Sequence, residues 1–435
     1  MSQDPSSAAT APRQAPQSST TAVGHVAIVG CGPSGCYTAL ALRRLAPEVQ
    51  IAIFDSRPTP FGLVRYGVAP DHQGMKNVSR QFDRLFASDG VEFVGNTSVG
   101  EDLPVAVLEE NFDVVVVATG LSADRPLTIP VDPRARVHGA GQLLRFLNGD
   151  PDSTLRSAHP RTPLGAEVLI VGAGNVAMDV ARLLCKADEG FHGSDVDDDA
   201  REALNTSDLR QLTLLSRGPR DRVRWDASMF AELCAIPGVS VYLDGEIEER
   251  SVTSNNDDHG RAVRVDVRFN EIVLGVDADD EGCIVRTQRS PDVEHSEPSE
   301  PEDFTYGVDT VVTAMGFVEP DHRAPENGDR VLRVGGCGSG TLGNLADNRA
   351  LAKVAAQQII DQLRASQIKP GLDGVREVLP AEANTFDDWV GIDRAEVARA
   401  RPDRLRTKFT SWSEMADAIA AHRQARSATV GINER

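Results

Sequence analysis

Two glycine-rich turns, each between a short apolar strand and a helix with apolar periodicity, constrain the fold of this 435-residue chain most strongly. The first lies in HVAIVGCGPSGCYTALALRRL and the second in AEVLIVGAGNVAMDVARLL. In such a strand–turn–helix unit the glycines permit a tight turn, the approach of a pyrophosphate and close packing of the helix on the strand. Two such units predict an α/β fold with two doubly wound, Rossmann-like dinucleotide-binding domains.

The first turn has the pattern GxGxxG, formed by Gly30, Gly32 and Gly35. A second apolar strand, VQIAIFD, ends at Asp55, twenty residues after Gly35. An acid at this position can accept hydrogen bonds from ribose hydroxyls, while the helix N-terminus favours a pyrophosphate. These four residues are therefore predicted to bind a first dinucleotide.

The second turn has the pattern GxGxxA, and the strand after it, LRQLTLLSRG, does not end in an acid. It ends in Ser216 and Arg217, and Arg220, Arg222 and Arg224 follow closely. An acid would favour the free 2′-hydroxyl of NAD, whereas serine and arginine suit the 2′-phosphate of NADP. The pattern favours NADP; a solvent-exposed basic loop is the alternative interpretation.

Composition excludes several other classes of protein. No apolar run approaches the eighteen residues of a membrane-spanning helix, and the net charge of −20 argues against nucleic-acid binding. Residues 1–24 are rich in Ser, Thr, Ala, Pro and Gln, which predicts a disordered tail without a targeting signal. The six cysteines have no metal-binding spacing, so we expect reduced thiols, no metal and a cytoplasmic location. The acidic stretches 188–200 and 255–303 are predicted to be solvated loops.

The irregular stretch PFGLVRYGVAPDHQG, residues 60–74, follows the first nucleotide-binding unit. Together with GAGNVAMDVARLL, the RGP after the next strand and the C-terminal RPDRLRTKFTSWSEMADAI, it resembles the adrenodoxin reductase-type ferredoxin–NADP reductases, which are FAD flavoproteins. The resemblance runs from about residue 24 to about residue 422 and is weakest in 240–305.

The resemblance implies which residues contact the two cofactors and the reacting atoms. FAD is expected on Gly30, Gly32, Gly35, Asp55, Leu63, Val64, Gly335 and Gly343. NADPH is expected on Gly174, Asn175, Val176 and Arg217. His72 of the PDH triplet and Glu232 are expected near the nicotinamide, as catalytic residues. The implied partner is a ferredoxin-like one-electron acceptor.

The chain departs from the family pattern at three points. Ser216 stands where the family has an arginine, and Gly336 stands where it has a tryptophan, so the flavin edge is expected to be more open. The net charge of −20 would repel an acidic ferredoxin, unless a local basic face attracts it. Two candidate faces are the arginines at 217–224 and a second set comprising Arg401, Arg404, Arg406 and Lys408.

The resulting prediction is a discontinuous FAD domain, residues 25–122 and 319–435, with an NADP domain, 123–318, inserted in it. The predicted activity is hydride transfer from NADPH to FAD, followed by transfer of single electrons to a ferredoxin-like iron–sulfur protein. Two alternatives stay open. One is an NAD(P)H-dependent flavoenzyme with another acceptor (a small molecule, oxygen or a dedicated biosynthetic partner). The other is a non-catalytic protein that binds a flavin or nucleotide.

Overall fold

The computed structural model describes residues 24–157, 163–250, 262–280, 282–289, 301–320, 331–340, 345–364 and 368–433. The predicted tail 1–24, apart from Gly24, lies outside these ranges. Gly343, one of the residues expected to bind FAD, also lies outside them. So does much of the acidic stretch 255–303.

The described residues alternate between short strands and helices. The strands are β1 His25–Val29, β2 Gln50–Phe54, β3 Glu92–Val94, β4 Val114–Val117, β5 Ala123–Asp124, β6 Val137–Gly139, β7 Glu167–Val171, β8 Gln211–Leu215, β9 Val239–Leu243, β10 Glu246–Arg250, β11 Val263–Arg268, β12 Glu271–Ala278, β13 Cys283–Arg289, β14 Glu302–Val308, β15 Thr310–Thr313, β16 Phe317–Val318 and β17 Val331–Arg333. The α-helices are α1 Pro33–Leu45, α2 Leu63–Tyr66, α3 Gln73–Lys76, α4 Ser79–Ala87, α5 Val105–Asn111, α6 Ala140–Leu147, α7 Thr154–Ser157, α8 Asn175–Cys185, α9 Asp198–Leu204, α10 Ala227–Cys234, α11 Gly336–Ser339, α12 Leu345–Leu363, α13 Phe386–Ala398 and α14 Trp412–Asn433. Short 3₁₀ helices cover Asp188–Phe191, Thr206–Asp208, Arg220–Arg222, Gly371–Gly374 and Arg376–Val378.

The first sheet has the strand order β17-β4-β1-β2-β3, and all of its strands are parallel. Alternate residues of β1 enter different apolar cores, because successive side chains of a strand point to opposite faces. Val26 and Ile28 pack in the core that includes residues of α1 and α12, while Ala27 and Val29 pack in the core on the other face. This burial on both faces explains the continuous apolar runs in the sequence.

The second sheet has the order β10-β9-β11-β8-β7-β15-β6, in which only the pairing of β10 with β9 is antiparallel. Two parallel sheets covered by helices confirm the predicted α/β class. The chain passes between the sheets at β5 and β16, which pair as a short antiparallel ribbon. The predicted domain boundaries fall at this ribbon and stay a prediction. The strands β12, β13 and β14 form a separate antiparallel sheet. The described part of the acidic stretch 255–303 is therefore mainly strand, and the prediction of a solvated loop is wrong for it.

Residues 60–74, which we call the opening stretch, are predicted to be irregular, but they contain the short helix α2 and the first residues of the short helix α3. Each of these helices is anchored by a buried charged side chain. Arg65 donates to Glu396 of α13 at 2.6 Å, and the Lys76 ammonium contacts the Asp195 carboxylate at 2.8 Å. These ion pairs hold the stretch between the first sheet, the segment before α9 and the C-terminal helices.

The prediction that residues 188–200 form a solvated loop is wrong. This stretch contains a 3₁₀ helix and the start of α9, and the Asp195 side chain is only 6% exposed. Asp195 lies between the ammonium groups of Lys76, at 2.8 Å, and Lys408, at 2.7 Å. Burial raises the pKa of the Asp195 carboxyl, but the two lysines outweigh it and hold that pKa below its usual range.

The prediction of an exposed basic face at 401–408 is also wrong for Arg404 and Lys408. The side chains of Arg404 and Lys408 are 1% and 2% exposed. Arg404 contacts Asp188 at 2.7 Å and Asp198 at 2.8 Å. The acids of residues 188–200 and the bases of residues 401–408 therefore neutralise each other. This pairing cannot be recognised from either stretch alone.

We predict that Asp195→Asn destabilises the fold, because it leaves Lys76 and Lys408 buried without their counter-charge. Removing one partner of a buried ion pair typically costs about 3–5 kcal/mol. The thermal unfolding midpoint should fall by several degrees in differential scanning fluorimetry. Asp361→Asn, which removes an exposed pair with Arg364 on α12, is the matched control and should leave the midpoint unchanged. Equal midpoints for both variants would contradict the structural role of Asp195.

Candidate active site

The first glycine turn joins β1 to α1 and leaves an open space above Gly32. Gly30 has φ +108°, and a Cβ there would lie 2.6 Å from the carbonyl oxygen of Ala118. A Cβ at Gly35 would lie 2.1 Å from the carbonyl oxygen of Gly30. A Cβ at Gly32, in contrast, would meet no protein atom within 4 Å. Two of the glycines are thus required by the protein's own packing, while the third leaves room for a ligand beside the N-terminus of α1.

Asp55 connects the end of β2 to this turn. One carboxylate oxygen accepts from the backbone N–H of Cys31 at 2.7 Å, and the other accepts from that of Arg57 at 3.0 Å. Burial raises the pKa of Asp55, and the two backbone donors partly offset this effect. Each carboxylate oxygen can accept a further hydrogen bond, so the predicted contact to a ribose hydroxyl is compatible with this structural role.

The opening stretch lies directly against the first glycine turn. The backbone N–H of Phe61 donates to the carbonyl oxygen of Cys31 at 2.8 Å, and Gly62 approaches Gly32 so closely that a Cβ on Gly62 would be 3.2 Å from the Gly32 Cα. Val64 is buried in the core of the first sheet, while Leu63 is half-buried. The stretch therefore forms one wall of the space above Gly32.

The second glycine turn repeats this design between β7 and α8. Gly172 has φ +120°, and a Cβ there would lie 2.4 Å from the carbonyl oxygen of Ala314, whereas a Cβ at Gly174 would meet no atom within 4 Å. The backbone of Arg224 pairs with Gly174, and Asn175 accepts from the backbone N–H of Asp226 at 2.7 Å. The loop after β8 thus lies beside the second turn. Val176 packs partly buried against the core of the second sheet.

Ser216 and Arg217 follow the last residue of β8, and their side chains differ in burial. The Ser216 side chain is buried, and its hydroxyl donates to the carbonyl oxygen of Gly218 at 2.9 Å. Arg217 is exposed and makes no ion pair within the described part of the chain. Arg220 contacts Glu248 at 2.9 Å. Arg217 is therefore better placed than Arg220 to bind a phosphate at this strand end.

His72 and Glu232, which are distant in sequence, meet at one point in the structure. The Nε2 atom of His72 lies 3.4 Å from Oε2 of Glu232, and its Nδ1 atom lies 3.4 Å from Oδ1 of Asp179 on α8. The His72 side chain is 13% exposed, whereas that of Glu232 is 50% exposed. Both ring nitrogens thus face carboxylates, and the ring can donate to both only when it is protonated.

A buried guanidinium organises this cluster. Arg182 of α8 has a fully buried side chain and binds both carboxylate oxygens of Asp71, the residue before His72. It also donates to Asp179 at 2.9 Å, and its Nε atom lies 3.4 Å from Glu232. Burial raises the pKa of Asp71, but Arg182 and Lys186 outweigh it and lower that pKa.

Sequence reasoning did not identify Asp71, Asp179 and Arg182 as part of the site. Asp179 and Arg182 lie three residues apart on α8, a spacing that places them on one helix face but is common in surface helices. Burial raises the pKa of Asp179, while Arg182 and His72 oppose this effect. The signal in the sequence is an arginine within an otherwise apolar helix segment, VARLL; an arginine that is buried there needs a carboxylate partner.

Gly335 and Gly336, which follow β17 and which we call the late glycine motif, close the first site from another side. A Cβ at Gly335 would lie 2.0 Å from the hydroxyl oxygen of Ser34, which donates to the side chain of Asn348 at 2.7 Å. A Cβ at Gly336 would lie 3.1 Å from Cγ of Leu121. The position where the family has a tryptophan therefore faces Leu121. The role predicted for Gly343 lies outside the described residues.

The geometry fits a dinucleotide at each turn, and the cluster around His72 links the two turns. The opening stretch contacts the first glycine turn through Phe61 and the helix of the second turn through Asp71 and His72. Two dinucleotides brought together in this way define a class of oxidoreductase in which a nicotinamide cofactor reduces a bound flavin.

Comparison with known proteins agrees with this class. The family model described as pyridine nucleotide-disulphide oxidoreductase matches residues 24–321. Cindoxin reductase of Citrobacter braakii is 35% identical over 424 residues, which cover 90% of both proteins. NADPH-ferredoxin reductase FprA of Mycobacterium leprae is 32% identical over 251 residues, covering 56% of this chain and 54% of that protein.

The structure of Mycobacterium tuberculosis FprA in complex with NADPH superposes with a TM-score of 0.78 at 24% identity, over 92% of this chain and all of that chain. This similarity shows the same fold. The chain belongs to the pyridine nucleotide-disulphide oxidoreductase family, and within it to the adrenodoxin reductase-type ferredoxin–NADP reductases. The predicted family, fold class, enzyme class and cofactors FAD and NADP are confirmed.

We predict that Gly32→Ala lowers the FAD content of the purified protein without damaging the fold. The added methyl group enters the space needed for close approach of the pyrophosphate, yet meets no protein atom within 4 Å. The flavin-to-protein absorbance ratio should fall, and titration of the apoprotein should show FAD affinity at least about tenfold weaker, equivalent to about 1.4 kcal/mol.

Gly30→Ala is the contrasting variant, because its methyl group would clash with the Ala118 carbonyl and destabilise the apoprotein as well. Apoprotein stability, measured by thermal unfolding without FAD, separates the two effects. Unchanged FAD affinity in Gly32→Ala would show that the pyrophosphate does not lie on this turn.

Proposed function

We propose that this protein transfers hydride from NADPH to FAD and then passes single electrons to a ferredoxin-like iron–sulfur protein. The observation that carries the proposal is the meeting of His72 with Glu232 and Asp179, at 3.4 Å in each case. This contact joins the stretch that walls the first glycine turn to the helix that begins at the second. A reaction between two bound dinucleotides requires such a meeting point.

FAD supplies a ring that accepts a hydride as two electrons and releases them one at a time. In the proposal, backbone N–H groups near Gly32 and the N-terminus of α1 bind its pyrophosphate, since helix N-termini favour anions. Asp55 accepts from a ribose hydroxyl. Gly30 and Gly35 keep the turn tight, and Leu63, Val64 and Gly335 hold the flavin end; Gly343, also expected there, lies outside the described residues.

NADPH is proposed to bind in the same manner at the second turn. Gly174, Asn175 and Val176 place backbone N–H groups at the start of α8, and Arg217 binds the 2′-phosphate. Ser216 is not a substitute for the second arginine of the family, because its hydroxyl already donates to Gly218. Arg224 is also exposed and without an ion pair among the described residues, and its backbone pairs with Gly174, so its guanidinium is the candidate for the second contact to the 2′-phosphate.

His72 and Glu232 are proposed to act on the nicotinamide end of the site. The carboxylate of Glu232 stabilises the positive charge that develops on the nicotinamide as hydride leaves. His72 donates to Glu232 and fixes its position. Asp179 and Arg182 are positioning residues, because they hold His72 and its neighbour Asp71 rather than the reacting atoms.

The proposal includes the division into an FAD domain, residues 25–122 and 319–435, and an NADP domain, residues 123–318. The β5–β16 ribbon supports these boundaries, since the chain crosses between the two parallel sheets there. A cytoplasmic location is also proposed, supported by six cysteines, all within the described residues, that form no disulfide there. None of the helices in the described ranges has the length and apolar character needed to cross a bilayer.

A small-molecule acceptor is the second candidate function, and Gly336 is the observation that favours it. With glycine in place of an aromatic side chain, less of the flavin edge is covered. Anaerobic stopped-flow mixing with NADPH, followed by addition of ferredoxin, decides between the two. Fast flavin reduction with reoxidation by ferredoxin supports the reductase, whereas fast reduction without reoxidation supports another acceptor.

We predict that His72→Ala slows hydride transfer while FAD stays bound, because the ring contacts Glu232 and Asp179 and not the glycine turn. A decrease on the order of 10²-fold is expected, because loss of the contact from His72 lets the Glu232 carboxylate move by about 1 Å from its position beside the nicotinamide. The measurement is the rate of flavin bleaching after anaerobic mixing with NADPH. His192→Ala, an exposed histidine near Asp403, serves as the control. An unchanged bleaching rate in His72→Ala would exclude its catalytic role.

We predict that Arg217→Ala raises the KM for NADPH by about tenfold and leaves the KM for NADH nearly unchanged. The reason is that only NADPH carries the 2′-phosphate, and a charged hydrogen bond contributes about 1.5–3 kcal/mol. Steady-state reduction of ferricyanide with each nucleotide measures both constants. Arg220→Ala, which removes a guanidinium paired with Glu248, is the matched control. Equal increases for NADPH and NADH would remove the proposed role of Arg217.

A further inference from the structure

Three exposed cations on α1 and α12 lack a counter-charge among the described residues. Other exposed arginines, such as Arg134 and Arg376, contact neighbouring carboxylates. Arg44, Arg349 and Lys353 form no ion pair or hydrogen bond within the ranges that the structure describes. Some other exposed cations are also unpaired among these residues, but these three lie together on two helices that pack against each other.

The same three cations border an apolar groove. The groove, of about 180 Å³, lies between α1, α4 and α12; we call it the α1–α12 groove, and its lining includes Tyr37, Leu40, Arg44, Leu45, Arg349 and Lys353. Leu45, at the end of α1, is 54% exposed and contributes apolar surface to the groove. An apolar centre with a charged rim is the usual composition of a protein–protein interface.

The α1–α12 groove begins close to the proposed flavin site. Ser34, in the first turn of α1, donates to Asn348 of α12 at 2.7 Å, and Gly335 of the late motif packs against Ser34. Tyr37 lies one helical turn beyond Ser34, a rise of about 5 Å, and Arg349 is the next residue after Asn348. A protein seated in the groove would therefore be near the site that releases electrons.

We infer that the α1–α12 groove is the docking surface for the acidic one-electron carrier protein, with Arg44, Arg349 and Lys353 contacting its carboxylates. This inference rests on the proposed function. At long range, a chain of −20 repels an acidic partner, but screening limits repulsion to about 10 Å at 0.1 M salt. Within that distance the unpaired cations provide local attraction, and they do so without first breaking an internal ion pair.

Two other occupants match the groove less well in charge. Residues 1–24 contain one acid, Asp4, and one base, Arg13, so this segment offers no complementary charge. A second copy of the chain is acidic and is therefore tested as an explicit outcome. The basic stretch at 401–408 is not a competing surface, because Arg404 and Lys408 are buried in ion pairs.

The experiment uses the holoenzyme, NADPH and an acidic [2Fe–2S] ferredoxin as the probe, with cytochrome c reporting on ferredoxin reduction. The variants are Arg349→Glu and, one turn further along α12, Lys353→Glu. Arg394→Glu is the matched control, since Arg394 is an exposed cation of α13 that makes no ion pair among the described residues. Flavin bleaching by NADPH is measured separately in stopped flow.

The expected result is a decrease of about tenfold in kcat/KM for ferredoxin in both α12 variants, with a weaker dependence on salt than in the wild type. Flavin bleaching should be unchanged, and Arg394→Glu should match the wild type. Equal ferredoxin kinetics in all three variants would overturn the docking surface while leaving the reductase function intact.

Two further outcomes distinguish the remaining possibilities. A wild-type enzyme that is bleached by NADPH but never reduces the ferredoxin would overturn the proposed acceptor, and the docking surface with it. A wild-type dimer in analytical ultracentrifugation that Arg349→Glu dissociates, with unchanged ferredoxin kinetics, would assign the groove to self-association and overturn the inference.

Discussion

The contact between Arg182 and Asp71 is the interaction on which the arrangement of the site depends. A guanidinium with no exposed surface is tolerated only when carboxylates neutralise it, and here they come from the opening stretch and from α8 itself. The contact joins the wall of the first glycine turn to the helix of the second. Because the charge is buried, separating the two units would remove Asp71 and leave Arg182 with Asp179 and Glu232 of its own unit, so electrostatics as well as apolar packing holds the two nucleotide sites together.

Local sequence patterns predicted the two glycine turns and the apolar strands next to them. The glycines at 30 and 172 have positive φ and face a carbonyl oxygen of the neighbouring strand end, which is the physical reason that the motif identifies a turn after a buried strand. The strands β1, β2, β7 and β8 follow from apolar runs, because a strand that is buried on both faces carries apolar side chains at successive positions. The meeting of His72 with Glu232 came from family resemblance and not from spacing, because 160 residues separate them and only the tertiary fold brings them together.

Charge patterning was the least reliable guide. A run of acids predicts solvated backbone only if no cations lie opposite, and the acids at 188–198 lie opposite Arg401, Arg404 and Lys408. This pairing brings together stretches about 200 residues apart, so neither stretch reveals it. The same pairing removes cations from the surface. The positions of the exposed cations that remain unpaired therefore indicate a partner's binding surface better than the net charge does.

The position of Leu121 limits which residues fit at 336. A Cβ at 336 would lie 3.1 Å from Cγ of Leu121, so any side chain at 336 requires the Leu121 side chain to shift. The two positions are far apart in sequence but share one space. Substitutions at 336 and 121 are therefore expected to have non-additive effects on the stability of the protein.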